Sequence, residues 1–280
     1  MAPSLTGAEV TAEHIDEFER DGFVVVDGLL TDDELRTYGE AVDACVAVRQ
    51  ALEDRPLEER SRYQQSFVQC MNLWEGDEGV RGLTFHPAVA RAAADLLRVP
   101  AIRLWHDQAL YKEAGGRATD AHQDQPYWPI AETSTITAWI PFDGSTIANG
   151  AMGYVPGSHQ VGLRKFVNIF FGEPEDLLAH PDIAGVEPRF VEVPRGSVAF
   201  HHGLTAHLAG PNSTDQVRRV HTMIFFADGS TRGGAAHPHF AVDRGGIEAG
   251  AVIDSDVTPI AWPRPDGDLP PTPADHVPDP

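Results

Sequence analysis

Residues 122 to 124, His-Gln-Asp, set an imidazole and a carboxylate one residue apart, with Pro126, Tyr127 and Trp128 close behind. Both groups ligate divalent metals. On a strand, residues i and i+2 share a face, so this spacing lets His122 and Asp124 grip one ion from one side. A lone His-x-Asp is a frequent accident in a chain with 13 histidines, and a third donor is required. The segment "FHHGLTAHLAGPNSTDQVRR" offers three candidates, His201, His202 and His207. Two imidazoles and one carboxylate on one face of an octahedral ion form the facial triad of non-haem Fe(II) oxygenases, with three positions left open. A structural zinc site would be closed and would usually use thiolates. Here the only cysteines, Cys45 and Cys70, stand far apart without a C-x-x-C and read as small buried residues.

Such ligands need a rigid frame, and the pattern around them is that of strands. "AIRLWHDQALYK" puts Ile102, Leu104, His106, Gln108 and Leu110 on one face, and "STITAWIPFD" alternates around Trp139. "FVEVPRGSVAFHHG" reads as a strand pair about Pro194-Arg195-Gly196, and "VRRVHTMIFFAD" as a strand with Arg218, Val220, Thr222 and Ile224 on one face. Short strands with Gly/Pro turns imply a sandwich or barrel from about 101 to 227. The part from about 11 to 97 reads as mainly helical. Thr11 can cap a helix carrying Ile15 and Phe18, Thr31 and Glu34 have capping-box spacing, and Pro87 suits a first helical turn. Residues 160–188 are too long for a hairpin and read as an insertion, lid-like over the pocket. Residues 259–280 form a proline-rich tail without periodicity. A single domain over 1–258, with this tail after it, is the organisation expected.

Composition excludes some partners. With 21 Lys and Arg against 42 Asp and Glu, the formal net charge of -21 repels phosphate backbones and anionic headgroups, so neither nucleic acid nor a membrane is expected. The opening "MAPSLTGAEVTAEHID" lacks a basic segment followed by an apolar one, and no run is long enough for a membrane span. A cytoplasmic protein acting on a small molecule is the expectation.

In this order and spacing, "FERDGFVVVDGLLTDDEL", "AHQDQPYW", "TAWIPFDGSTIANGAMGYVPGSH" and "HHGLTAHLAGPNSTDQVRR" resemble the phytanoyl-CoA dioxygenase family of Fe(II)- and 2-oxoglutarate-dependent oxygenases, over about residues 15 to 226. The resemblance implies an α+β fold, mainly β with flanking helices, around a double-stranded β-helix (jelly-roll, cupin-like) barrel. It implies His122, Asp124 and His207 as iron ligands, with Fe(II), 2-oxoglutarate and O2 as the reacting set. It selects His207 because an arginine, Arg218, follows it by the family's eleven residues. Arg218 would meet the C5 carboxylate of 2-oxoglutarate bidentately. Trp139 and Gln108 fall where the family contacts the cosubstrate. The chain departs from the pattern at Ala209, where the family commonly has a serine whose hydroxyl bonds that carboxylate; Thr137 or Thr222 is a possible substitute.

His202, at a strand end, is expected at the substrate pocket with Tyr127, Trp128 and Phe166, and His201 on the outer face. The implied reaction is oxidation, by default hydroxylation, of an unactivated C–H bond of a small organic substrate such as a natural-product intermediate, with release of succinate and CO2. The family name points instead to an acyl-CoA, but few basic residues (Lys112, Arg117, Arg164, Lys165) stand near the expected pocket to receive its phosphates. A cupin-like metal- or ligand-binding protein without catalysis is the third reading, and it would have no use for Arg218.

Overall fold

The computed structural model describes residues 8–51, 55–164, 167–169, 176–234, 238–264 and 268–277. Helix α1 (Ala12–Asp21) starts where the Thr11 hydroxyl accepts the His14 amide and stops at Gly22, whose φ of 83° lets the chain turn out of the helix. Strand β1 (Phe23–Val26) follows. Helix α2 (Asp32–Gln50) is opened by the reciprocal Thr31–Glu34 bonds of a capping box. After β2 (Val68–Met71) come α3 (Glu78–Thr84) and α4 (Pro87–Leu97), the latter with proline in its first turn.

The remaining strands are β3 (Ile102–Lys112), β4 (Thr119–His122), β5 (Thr135–Pro141), β6 (Met152–Tyr154), β7 (Arg189–Val191), β8 (Val198–His202), β9 (His207–Ala209) and β10 (Arg218–Ala227). The short helix α5 (Phe240–Asp243) and β11 (Ile260–Trp262) complete the elements. A seven-stranded sheet runs β1-β8-β5-β10-β3-β11, with β2 also paired to β3, and a four-stranded sheet runs β4-β9-β6-β7. All recorded pairings are antiparallel.

The apolar alternation of the large sheet sorts its two faces. Val24, Val26, Ile136, Ala138, Val198, Phe200, Met223 and Phe225 pack outward against α2, α3 and α4 in the largest core cluster. The opposite face looks toward the small sheet, where Trp139, Met152, Tyr154, Ala199, Ala209 and Val220 share a second cluster.

Three sequence expectations need correction. The segments about Pro194-Arg195-Gly196 are strands but do not pair with each other: β7 joins β6 and β8 joins β5, so this turn carries the chain from one sheet to the other. Strand β3 does not keep one face from Ile102 to Leu110. Ile224 pairs with His106 and Phe225 with Leu104, which leaves Trp105 as an extra residue in a β-bulge. Ile102 and Leu104 therefore face the helices with Ala109 and Tyr111, while His106, Gln108 and Leu110 turn inward. Asp124, finally, is not on a strand. It lies two residues past the end of β4 with helical dihedrals (φ -77°, ψ -41°), at the start of a 3-10 turn over Gln125–Tyr127.

The proline-rich end adds β11 to the edge of the large sheet and lies against the body through Arg244–Asp275 and His276–Glu75 contacts. The described part of 160–188 packs on the barrel through Val167, Ile169, Leu177 and Ile183, grouped with Val155 and Ala206.

Candidate metal centre

His122 ends β4 and His207 begins β9, and the two are direct cross-strand partners, which brings their rings to a centroid distance of 4.3 Å. Each ring is oriented from behind: Nδ1 of His122 lies 2.8 Å from the Asp120 carbonyl and Nδ1 of His207 lies 2.9 Å from that of Thr205. An Nδ1–H held by a carbonyl leaves the Nε2 lone pair free for an ion. Asp124 Oδ1 lies 3.7 Å from Nε2 of His122 and 3.6 Å from Nε2 of His207. One ligand atom from each of the three residues falls within 4.8 Å of the others, the only such group among the described residues.

Asp124 reaches this position through its neighbours. The Gln123 side chain donates to the carbonyls of Leu204 and Gly162, and Gln125 accepts from the Thr135 hydroxyl at 2.6 Å while donating to Ile130 and Glu132 carbonyls. The Gln125 amide also donates to the Gly203 carbonyl. A side chain at position 203 would put its Cβ 2.1 Å from Thr135 Oγ1, so glycine is required for this close approach.

Burial pushes His122 down to about 4 and does the same to His207, so both are neutral and ready to ligate at neutral pH. Burial alone would raise the Asp124 carboxyl, but His207, His201 and His122 outweigh it and hold the group well below the usual carboxylate range.

The three side chains open on a cavity of about 340 Å³. Arg218 and Trp139 line it from β10 and β5, and the guanidinium sits 5.1 Å above the Trp139 ring. Nη1 of Arg218 donates to the Gly150 carbonyl, Nε has no partner, and no carboxylate pairs with this arginine among the described residues. Burial lowers it to about 10, which leaves it cationic at neutral pH. Its neighbour Arg219 points out to Asp43 and Asp143. Beside Arg218 across the β3–β10 ladder lies buried Lys112, lowered to about 7 by burial and by Arg218 and Arg117, its Nζ donating to the Arg117 carbonyl. Gln108 lines the cavity and accepts from Gln69 at 2.5 Å, and Gln69 accepts from the Tyr63 hydroxyl.

Tyr127 and Trp128 line the cavity, and the Tyr127 hydroxyl donates to the Val167 carbonyl at 2.7 Å. Phe166 and Lys165 lie outside the described residues. His201 and His202 are exchanged relative to expectation. In the β5–β8 register Trp139 faces Ala199 and Thr137 faces His201, so His201 points inward and lines the cavity. His202 continues the outward series of Val198 and Phe200, with its ring near Phe18 and His159, and does not line the cavity. The bulky alternation Val198-Phe200 was the available signal for this parity. His221 faces away from Arg218, toward Thr84 and Asp107.

The serine substitutes proposed from sequence are engaged elsewhere: Thr137 donates to Asp124 and Thr222 to the Gln108 carbonyl. Thr119 was overlooked. It lies directly opposite Ala209 in the β4–β9 pair, lines the cavity, and holds a buried hydroxyl with no partner. Tyr63, Phe67 and His239 are further lining residues without a sequence signal, since the irregular segments that aim them have no period, whereas His106 lines the cavity on the face it shares with Gln108.

The profile of the Phytanoyl-CoA dioxygenase (PhyH) family matches residues 18–220. A probable alpha-ketoglutarate-dependent hypophosphite dioxygenase from Stutzerimonas stutzeri is 29% identical over 130 residues, 45% of each chain. A methylphosphonate hydroxylase from Gimesia maris is 30% identical over 156 residues, 55% of this chain and 57% of the relative. The chain thus spans about half the length of these curated relatives. Among solved structures, the non-heme alpha ketoglutarate dependent carbocyclase SnoK from nogalamycin biosynthesis superposes with a TM-score of 0.74 over 90% of this chain and 96% of that one, at 24% identity, a likeness of fold. Among the described residues no helix is long and apolar enough to cross a membrane. With a family profile covering most of its length, the chain belongs to the phytanoyl-CoA dioxygenase (PhyH) family of Fe(II)- and 2-oxoglutarate-dependent oxygenases.

Proposed function

We propose that this protein hydroxylates a C–H bond of a small, uncharged organic molecule of secondary metabolism, consuming 2-oxoglutarate and O2 and releasing succinate and CO2. One observation carries the reading: two imidazoles and a carboxylate converge on a cavity that also holds a buried arginine without a carboxylate partner among the described residues. His122, Asp124 and His207 would hold Fe(II), and three donors leave three positions of an octahedral ion open. Bound iron with 2-oxoglutarate and O2 supplies the oxidising power that no side chain has.

The chain's own part is to bind, orient and exclude water. Arg218 is positioned by the Gly150 carbonyl and the Trp139 ring, and its free donors suit the C5 carboxylate of 2-oxoglutarate. The Thr119 hydroxyl, opposite Ala209, can replace the serine hydroxyl absent there. The Tyr63–Gln69–Gln108 chain fixes the Gln108 amide at the cavity wall. Phe67, Met71, Tyr127, Trp128 and Met152 give the cavity an apolar lining that keeps water from the reacting atoms.

The same lining narrows the substrate. Arg218 is the one lysine or arginine among the described lining residues, and the cosubstrate engages it. His106 is pushed down to about 4 by burial and stays neutral. Among the described residues, therefore, no cation remains for a phosphonate of the kind handled by the Gimesia maris relative, or for the phosphates of a CoA thioester. The volume, at the low end of small-molecule sites (about 300–1,000 Å³), also disfavours the latter. Aromatic rings with neutral amide and imidazole groups suit a ring-bearing molecule with hydroxyl or carbonyl groups. The test is anaerobic reconstitution with Fe(II) and 2-oxoglutarate, watching for the visible charge-transfer band, then a screen of neutral natural-product intermediates for succinate release. Iron binding without that band would reject the assignment; turnover of phosphonates or acyl-CoAs alone would reject the substrate class.

A further inference from the structure

We propose that His201 and Thr137 form a clamp on the second oxygen of Asp124, so that this carboxylate offers the metal a single oxygen and spends no additional coordination position. The inference rests on the reading of His122, Asp124 and His207 as the metal ligands.

Thr137 and His201 are direct cross-strand partners in the β5–β8 pair, and both point inward. They converge on one atom. The Thr137 hydroxyl donates to Asp124 Oδ2 at 3.1 Å, and Nε2 of His201 lies 3.2 Å from the same oxygen. The other oxygen, Oδ1, is the one turned to Nε2 of His122 and of His207, at 3.7 and 3.6 Å. The two oxygens are therefore divided between two tasks. A carboxylate can bind a metal through one oxygen or both, and chelation through both would have to break the two bonds on Oδ2. This matters because a facial triad works only if three positions stay open.

His201 is not a fourth ligand, since its nitrogens fall outside the group of donor atoms within 4.8 Å of one another. Nor is it there for packing alone. It is 2% exposed, and its Nδ1 is buried with no partner, which costs free energy that a phenylalanine of similar shape would not incur. The Nε2–H bond to Asp124 is what offsets that cost.

The test is titration of the apo-protein with Co(II), comparing the parent with His201→Phe, His201→Gln and Thr137→Val by affinity and by visible absorption. Failure of the parent to bind one Co(II) would overturn the metal assignment beneath the clamp, whereas the differences between proteins test the clamp itself. Removing a hydrogen-bond partner of a metal ligand typically weakens binding about 10- to 100-fold, and that loss is expected for His201→Phe. Its d–d bands should also fall in intensity, because a carboxylate that swings to bind through both oxygens raises the coordination number. His201→Gln retains an N–H donor and should recover most of the affinity and the parental spectrum, while Thr137→Val should move both readings in the same direction as His201→Phe but less. Parental affinity and spectrum in His201→Phe would overturn the proposal. So would weaker binding with an unchanged spectrum, or a His201→Gln protein as impaired as His201→Phe. If His201→Phe does not fold, a Thr137→Val protein with parental affinity and spectrum would overturn it equally.

Discussion

Thr137, Trp139, Arg218 and Thr222 reach the cavity from strands paired on both sides, whereas Tyr63, Phe67, Ile169 and His239 reach it from segments with no strand partner. On the first wall, direction follows from register: once Thr222 pairs with Trp139, the parity of every neighbour is set, and Arg218 must face in while Arg219 faces out. On the second wall each side chain is held by its own local contacts, as when Tyr63 packs edge-on against Phe67 and donates to Gln69. Asp124 stands between the two cases, irregular in backbone but stapled to the barrel by Gln123 and Gln125. The contrast suggests a division of labour. On the proposed reading, the groups that would ligate metal and cosubstrate depend on the sheets, and those that would meet the substrate sit where sequence can change without disturbing them.

That division can be broken most severely at the metal. Alanine at His122, Asp124 or His207 should abolish iron retention and turnover, measured by metal content and succinate release, with the far-ultraviolet circular dichroism unchanged. Full activity in His207→Ala would return the third ligand to an open question. The same residues carry a pH signature. His122 and His207 are both lowered to about 4, so protons compete with metal only near that value. Metal retention should be flat from pH 8 to about 5 and be lost below it, rather than near the ordinary histidine value of about 6.5. Loss centred near 6.5 would mean the rings are less buried than the structure shows.

Next in size is Arg218→Ala, which on the proposed reading would leave the cosubstrate carboxylate unpaired in a buried site. That costs on the order of 3 to 5 kcal/mol, so the 2-oxoglutarate requirement should rise by at least about a hundredfold, with Arg218→Lys recovering only part. Arg219→Ala, on the outer face, should leave it nearly unchanged; the reverse pattern would mean that β10 is drawn one residue out of register. On the loop-built wall, Phe67→Ala or Ile169→Ala should raise the substrate KM about tenfold and leave 2-oxoglutarate binding alone, in line with the 1–3 kcal/mol a small apolar contact contributes to specificity. A matching loss of 2-oxoglutarate affinity would erase the distinction between the walls. The smallest effect is expected at Thr119→Val, where one hydrogen bond of about 0.5–1.5 kcal/mol corresponds to a two- to tenfold higher 2-oxoglutarate requirement.

Legibility from sequence follows the same divide. Periodicity placed the strands around Trp139 and Arg218, and the capping signals at Thr11 and Thr31 marked true helix starts. The convergence of His122, Asp124 and His207 was legible from motif order, yet the reason given for it was only half right: the strand stops at His122 and Asp124 arrives by a turn. His201 and His202 were exchanged because two adjacent histidines carry no parity of their own; it had to be taken from Val198 and Phe200 or from Trp139 across the ladder. Thr119 was missed because its significance lies in its partner Ala209, 90 positions further along, a relation that only the pairing of β4 with β9 reveals.

The bulge at Trp105 makes β3 a strand read in two frames. Before it, Ile102 and Leu104 serve the helical layer; after it, His106, Gln108 and Leu110 serve the cavity. Losing a single residue between the bulge and Lys112 would therefore do more than shorten the strand. If the pairing with β10 beyond the deletion held, the frame upstream would slip, turning Asp107 toward the cavity and His106 toward the helices. A loss at Trp105 itself would instead restore a regular ladder with every face kept, Leu104 still opposite Phe225 on the helical side and His106 still opposite Ile224 on the cavity side. Beyond the bulge the strand is thus a stretch where insertions and deletions are counted.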